Sequence, residues 1–259
     1  MKYIDTHTHT NCLELVEKFD EIIKDIENLD MYINIVGNNI DDSILAIKQS
    51  QNSDNSFCTI GIHPNEFKDE QSIDESIAIL EQLYLNNKEK VRAIGEIGLD
   101  YHFNPTQERI LLQKLWFEKQ INLAIKYNLP IVMHIRDAHN DAYEIIKKYY
   151  DKTTFVVHCF CGTIDDVFRY NELNCYISIS GNITFKNNDS LRNALMYIPL
   201  NKLLTETDAP WLAPVPFRGK TNFPQYVIKT NGYIATLLNI DLNELSTILV
   251  NNAINCFKL

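Results

Sequence analysis

No stretch of this 259-residue chain approaches the roughly 18 consecutive apolar residues that a membrane span requires. The opening MKYIDTHTHTNC lacks the apolar core of about 7–15 residues that marks a secretory leader, so none is expected. The six Cys (12, 58, 159, 161, 175 and 256) are scattered and include no CxxC pair. A disulfide framework is therefore not expected, and reduced thiols in a cytoplasmic protein without membrane association are. Positive charge is scarce as well, with 24 Lys and Arg against 34 Asp and Glu, a net charge of −10. Such a surface repels duplex DNA overall, so any nucleic-acid substrate needs a local basic pocket. GxSxG, Walker and dinucleotide glycine motifs are all missing, which leaves serine-hydrolase, P-loop and Rossmann readings without support.

What is present has globular proportions, 45% hydrophobic and 22% charged. The length suits one α/β barrel, which commonly takes about 250 residues. Eight β-rich runs recur, at Tyr3–His9, Met31–Gly37, Phe57–Pro64, Val91–Asp100, Pro130–Arg136, Thr153–Phe160, Cys175–Gly181 and Leu203–Asp208. Runs such as IVMHI and FVVHCF are apolar without alternation, as in strands buried on both faces. Helical patterns lie between them. Ser72 and Glu75 form a capping-box signature. Asn104, Pro105 and Gln107 predict the start of a helix reaching about Tyr127, and Asp241 with Glu244 opens a last one. The expectation is an α/β fold, a closed (β/α)8 TIM-type barrel occupying residues 1–259 as one domain. Pro210–Pro224 reads as a long ordered loop after the eighth strand.

Chemistry enters through position. His7 and His9 end the first run, Glu96 lies late in the fourth, and His134 and His158 lie in the fifth and sixth. Asp208 ends the eighth, and His63 the third. Barrel active sites collect at the carboxyl ends of strands, so these residues converge if the barrel forms. His7 and His9 are two apart on a strand and share a face, a spacing that lets two imidazoles grip one cation. A carboxylate inside a barrel is costly unless paired or metal-bound, which favours Glu96 as a ligand. Asp208 reads as ligand or base. Glu206, one layer deeper, and Asp5, in the same relation to His7, read as outer partners that orient ligands. Four His with two carboxylates exceed one tetrahedral site. They suit two divalent ions bridged by Glu96, with Mg, Mn and Zn left open.

Arg136 follows His134 by two residues, and Arg218 and Lys220 lie in PFRGKTN on the long loop. These cations match phosphate oxygens and, with His63, are the expected substrate contacts. Tyr101 and Phe217 are candidates for stacking bases. Cys159 and Cys161 read as small packing residues beside His158.

DTHTH (5–9), GIHP (61–64), GEIGLDY (95–101), MHIR (133–136), VVHCFCG (156–162), SISGNITF (178–185), LLTETDAPWL (203–212) and RGKTN (218–222) occur in that order. Together they resemble the TatD-type metal-dependent deoxyribonucleases of the amidohydrolase-like barrel superfamily. The resemblance spans nearly the whole chain and implies a TIM-like barrel, divalent metals and hydrolysis of DNA phosphodiesters, often from the 3′ end of single strands. It maps metal ligands onto His7, His9, Glu96, His134, His158 and Asp208. Departures lie at the rim: Asn65 stands where family members often have His, Cys161 where they often have Ser, and Thr221 and Phe223 where Arg and Glu are common. Single-stranded DNA or another phosphodiester is thus the expected partner of a monomer. Two rivals remain, a metal-dependent esterase such as a D-aminoacyl-tRNA deacylase, and a non-catalytic barrel that binds a metal or partner. Glu96, where related barrels carry a carboxylated Lys, disfavours cyclic-amide and phosphotriester hydrolases.

Overall fold

The computed structural model describes residues 2–67 and 72–259. Its strands are β1 (Tyr3–Thr8), β2 (Met31–Val36), β3 (Ser56–Ile60), β4 (Val91–Asp100), β5 (Ile131–Arg136), β6 (Phe155–Val157), β7 (Tyr176–Ile179) and β8 (Leu203–Thr205). They pair in sequence order, every pair parallel, as a (β/α)8 barrel of the α/β class. Between and after them run α1 (Phe19–Asn28), α2 (Ile40–Ser50), α3 (Ile73–Asn86), α4 (Gln107–Tyr127), α5 (His139–Ile146), α6 (Ile164–Glu172), α7 (Asp189–Leu195), α8 (Val227–Leu238) and α9 (Leu242–Phe257). Among the described residues no helix is long and apolar enough to cross a membrane.

The interior is layered. At the bottom each strand gives one apolar residue: Ile4, Tyr32, Phe57, Ala93, Val132, Val156, Tyr176 and Leu204. Helix α9 closes this end with Val250, Ala253, Cys256 and Phe257, the last 5.2 Å from the Phe57 ring. Above lies a buried polar belt. Asn34 Nδ2 donates to Thr6 O (2.9 Å), Thr59 Oγ1 to Asn34 Oδ1 (3.0 Å), and Thr6 Oγ1 to Thr205 O (3.0 Å). Each donor has a partner, so the belt avoids the cost of dry polar groups. The ligand-type residues form the top layer, at the carboxyl ends of the strands.

Two bulges set that top layer. Pairing of β1 with β2 runs from Asp5–Ile33 to Thr8–Ile35, three residues against two. Pairing of β4 with β5 runs from Ile94–Ile131 to Ile97–Met133 in the same way. One extra residue reverses which face later side chains occupy. Glu96 therefore joins the inward set that begins lower down with Ala93. The predicted same-face relation of Asp5 to His7 is corrected for the same reason. Asp5 turns away to accept from Thr207 N (2.8 Å) and Thr207 Oγ1 (2.5 Å) on the other side of the barrel seam. Closure of β8 on β1 passes through the site itself: Asp208 N–H donates to His7 O (2.9 Å) and His9 N–H to Ala209 O (2.8 Å).

Helix starts differ in detail from the sequence expectation. The α4 cap is Thr106, whose hydroxyl accepts from Arg109 N, while Asn104 adopts a left-handed φ of 50° in the preceding turn. Ser72 precedes α3 in a helical backbone conformation, so the predicted capping box does not form. Asp241 caps α9 as expected, accepting from Asn243 N and Glu244 N.

Gly98 has φ +145°, and a Cβ there would lie 2.1 Å from His134 O. Gly98→Ala should lower stability by about 1–3 kcal/mol or more, read as a reduced urea midpoint. An unchanged midpoint would show that β4 and β5 can separate without cost.

Candidate metal centre

Glu96, 4% exposed, is the hub. Its Oε2 lies 3.3 Å from His7 Nε2 and 3.6 Å from His9 Nε2. Its Oε1 lies 2.7 Å from His134 Nδ1, 2.7 Å from His158 Nε2 and 3.8 Å from His63 Nε2. Asp208 Oδ1 reaches His9 Nε2 at 3.6 Å. The six predicted ligand positions are therefore brought together, with His63 beside them. All of them but the fully buried His7 line a cavity of about 560 Å³ that opens at the rim.

The ring orientations fit metal ligation. His9 Nδ1 faces the Val36 carbonyl (3.1 Å), which can only accept, so Nδ1 carries the proton and Nε2 presents its lone pair inward. That lone pair lies 3.1 Å from His7 Nε2. His158 Nδ1 faces Glu206 Oε1 (3.3 Å) and His134 Nε2 faces Asp100 Oδ2 (3.2 Å), again leaving the other nitrogen turned to Glu96. A carboxylate or carbonyl behind each ligating imidazole is the usual outer support of a metal site. Donor atoms within 4.8 Å of one another form two groups about Glu96, one with His7 and His9, the other with His134 and His158. The residues fit divalent metal.

Protonation follows from this crowding. Burial alone pushes Glu96 up, but the His158 charge and hydrogen bonds from His134, His158 and His7 hold it well below the usual carboxylate range. Burial pushes His158 down, yet Glu96 and Glu206 raise it well above the ordinary imidazole value. Burial and the neighbouring His134 lower His63 to about 3. Burial pushes Glu206 up, and the charge and hydrogen bond of His158 more than reverse this, leaving it at about 2.

Glu206 lies behind the His158 ring. Besides His158, its Oε1 accepts from Cys159 N (2.8 Å) and Ser180 Oγ (2.7 Å). Asp5 touches no ligand ring, but besides Thr207 it accepts from the backbone N–H of His7 (3.3 Å). Arg136 lines the cavity with its guanidinium 5.9 Å from the Phe103 ring centre. Arg218 and Lys220 are not in the cavity wall. The Arg218 guanidinium lies 4.4 Å from the Phe185 ring centre, and Lys220 N–H closes a turn on Phe217 O (3.0 Å). Phe217 is stacked on Tyr226 (4.0 Å) and Tyr101 donates to Asp141 (2.8 Å), so both predicted stacking candidates are already engaged in the fold. Cys159 is half-buried, whereas Cys161 is exposed at the cavity rather than packed.

Sequence reasoning missed Asp100. It is buried at the end of β4, accepting from Asn65 Nδ2 (3.0 Å) and His102 N (3.0 Å) while facing His134. Asn65 thus supports this carboxylate. The even spacing from Glu96 to Asp100 along one strand was the available signal. Trp211 at the cavity mouth and the buried Asn222 behind it were also missed.

A (β/α)8 barrel with four imidazoles around a buried carboxylate at its carboxyl rim defines the class, a barrel-fold metal-dependent hydrolase. The profile described as TatD related DNase matches residues 4–258, and the chain belongs to that family. It is 38% identical to an uncharacterized metal-dependent hydrolase, MG009, of Mycoplasma genitalium, across 99% of both chains. It is 35% identical to the uncharacterized metal-dependent hydrolase YabD of Bacillus subtilis, across 98% of both. Among solved structures, YjjV, a TatD homolog from Escherichia coli, superposes with a TM-score of 0.89 at 25% identity, covering 100% of this chain and 98% of that one.

Two outcomes follow from the geometry. Glu206→Gln should weaken divalent-metal affinity about 10–100-fold, measured by chelator competition, while unaltered affinity would make Glu206 merely structural. Because His158 is raised in the metal-free protein, loading an ion must displace a proton. Metal content after equilibration should therefore be lower at pH 5.5 than at pH 8, and pH-independent loading would contradict the assignment.

Proposed function

We propose that the chain is a deoxyribonuclease that hydrolyses DNA phosphodiester bonds, trimming single strands from the 3′ end with two divalent ions (Mg, Mn or Zn). The observation that carries the two-ion reading is the division of Glu96. One oxygen faces His7 and His9, and the other faces His134 and His158. His7, His9 and Glu96 Oε2 would hold one ion, with Asp208 beside them, and His134, His158 and Glu96 Oε1 the other. Such ions, when bound, activate water near neutral pH and brace the oxygens of a reacting phosphoryl group.

The remaining work falls to the chain's own residues. Asp208 has a side chain 15% exposed at the cavity and would take the proton that the attacking water loses. Its backbone has a left-handed φ of 55° and is tied to His7 O, which fixes the carboxylate over the floor. Arg136 offers a forked cation to a non-bridging phosphate oxygen. His63, lowered by burial, would be neutral there and able to share a hydrogen bond with substrate. The DNA substrate is supported by the description of the matching family, and metal dependence by the names of the relatives.

Chelation should abolish cleavage of a 3′-labelled single-stranded oligonucleotide, and added divalent metal should restore it. Asp208→Asn should keep the fold and lose about 10²–10⁴-fold in kcat. Turnover near wild type would eliminate Asp208 as the proton acceptor. Cleavage of D-aminoacyl esters with none of DNA would replace the nuclease reading by the esterase one.

A further inference from the structure

The two Trp of the chain are in opposite surroundings. Trp116 is buried at 2% exposure, whereas Trp211 is 48% exposed at the cavity mouth. Its ring meets that of His9 at 5.3 Å and 63°, so it borders the metal donors directly. The backbone beneath it is clamped. Trp211 N–H donates to Asp208 O (2.9 Å), and Asn222 Nδ2 donates to both Trp211 O (2.6 Å) and Thr207 O (2.9 Å). Asn222 is fully buried, and its own N–H donates to Pro210 O (2.9 Å). A large apolar ring left in water on a rigid support, beside a polar cavity, is a surface prepared for a planar partner. Arg136, near the 79%-exposed Phe103, also lines this cavity and supplies a cation.

We infer that Trp211 is a stacking platform for an unpaired nucleobase adjoining the scissile phosphate, with Asn222 as the residue that positions it. The inference rests on the phosphodiester reading above and adds the base as a recognised part of the substrate. An aromatic face plus a nearby cation is how single strands are held without sequence preference. A base within a duplex has its faces covered by its neighbours, so this platform selects single-stranded ends. The net charge of −10 agrees, because binding cannot draw on a broad basic surface.

The test uses a five-residue phosphorothioate oligothymidylate and an abasic oligomer of equal length and charge, with the metal-loaded full chain. The thymidylate should quench wild-type tryptophan fluorescence, the abasic chain should not, and Trp211→Phe should lose the response. Trp211→Ala should reduce cleavage of oligothymidylate relative to an abasic phosphodiester oligomer of equal length by at least fivefold. Trp211→Phe should recover most of that ratio. Equal quenching by both oligomers, or equal loss on both substrates, would overturn the platform. Quenching without hydrolysis of any diester would uphold the platform and sink the nuclease reading instead.

Discussion

One carboxylate, Glu96, is buried at the floor of the cavity with imidazole nitrogens facing both of its oxygens. Everything else at the rim can be understood as the means of making that arrangement tolerable. An unpaired carboxylate at this depth would cost several kcal/mol. The histidines that compensate it come from β5 and from the ends of β1 and β6; three of them lean on a further acceptor, whereas His7 Nδ1 is buried without a hydrogen-bond partner among the described residues. Val36 O holds His9, Glu206 holds His158, and Asp100 holds His134. The outer contacts orient the rings of His9, His134 and His158 so that their inner nitrogens face Glu96. Without an ion, protons on His158 and its neighbours hold Glu96, and a bound cation would take their place.

The barrel supplies rigidity where this chemistry needs it. Below the donors, the hydrogen-bonded belt of Thr6, Asn34 and Thr59 separates them from the apolar plug around Phe257. The seam between β1 and β8 is closed by backbone bonds of His7, His9, Asp208 and Ala209, so the bonds that close the barrel also fix residues of the site. The loop after β8 is held from inside by Asn222, which joins Thr207, Pro210 and Trp211. A rigid lip of this kind keeps catalytic and substrate-contacting groups in register without help from the substrate.

Much of this was legible in order and spacing. The eight strand runs reappear with ends shifted by a few residues, and the six ligand positions converge because they occupy strand ends of a parallel barrel. The bulges in β1 and β4 were not legible. A single extra residue has no compositional mark, yet it reverses the facing of Asp5 and brings Glu96 inward. Asp100 was legible from its even spacing to Glu96 along β4, beyond the bulge, and was overlooked. The cap at Thr106 escaped because Asn104 and Pro105 carry a stronger local signal and were diverted into a turn. RGKTN looked like an anion loop, but there Arg218 packs on Phe185 and only Asn222 reaches the site, as a support.

The sequence by itself determined the fold class and the identity of the inner donors. Strand periodicity and residue chemistry are local properties, and strand ends in a parallel barrel have only one place to meet. The tertiary structure alone decided which nitrogen of each ring faces inward, which carboxylates stand behind them, and which aromatic remains open to solvent. Those outcomes depend on contacts between residues distant in the chain, as between Glu206 and His158 or Asn222 and Trp211, and no local pattern encodes such distances.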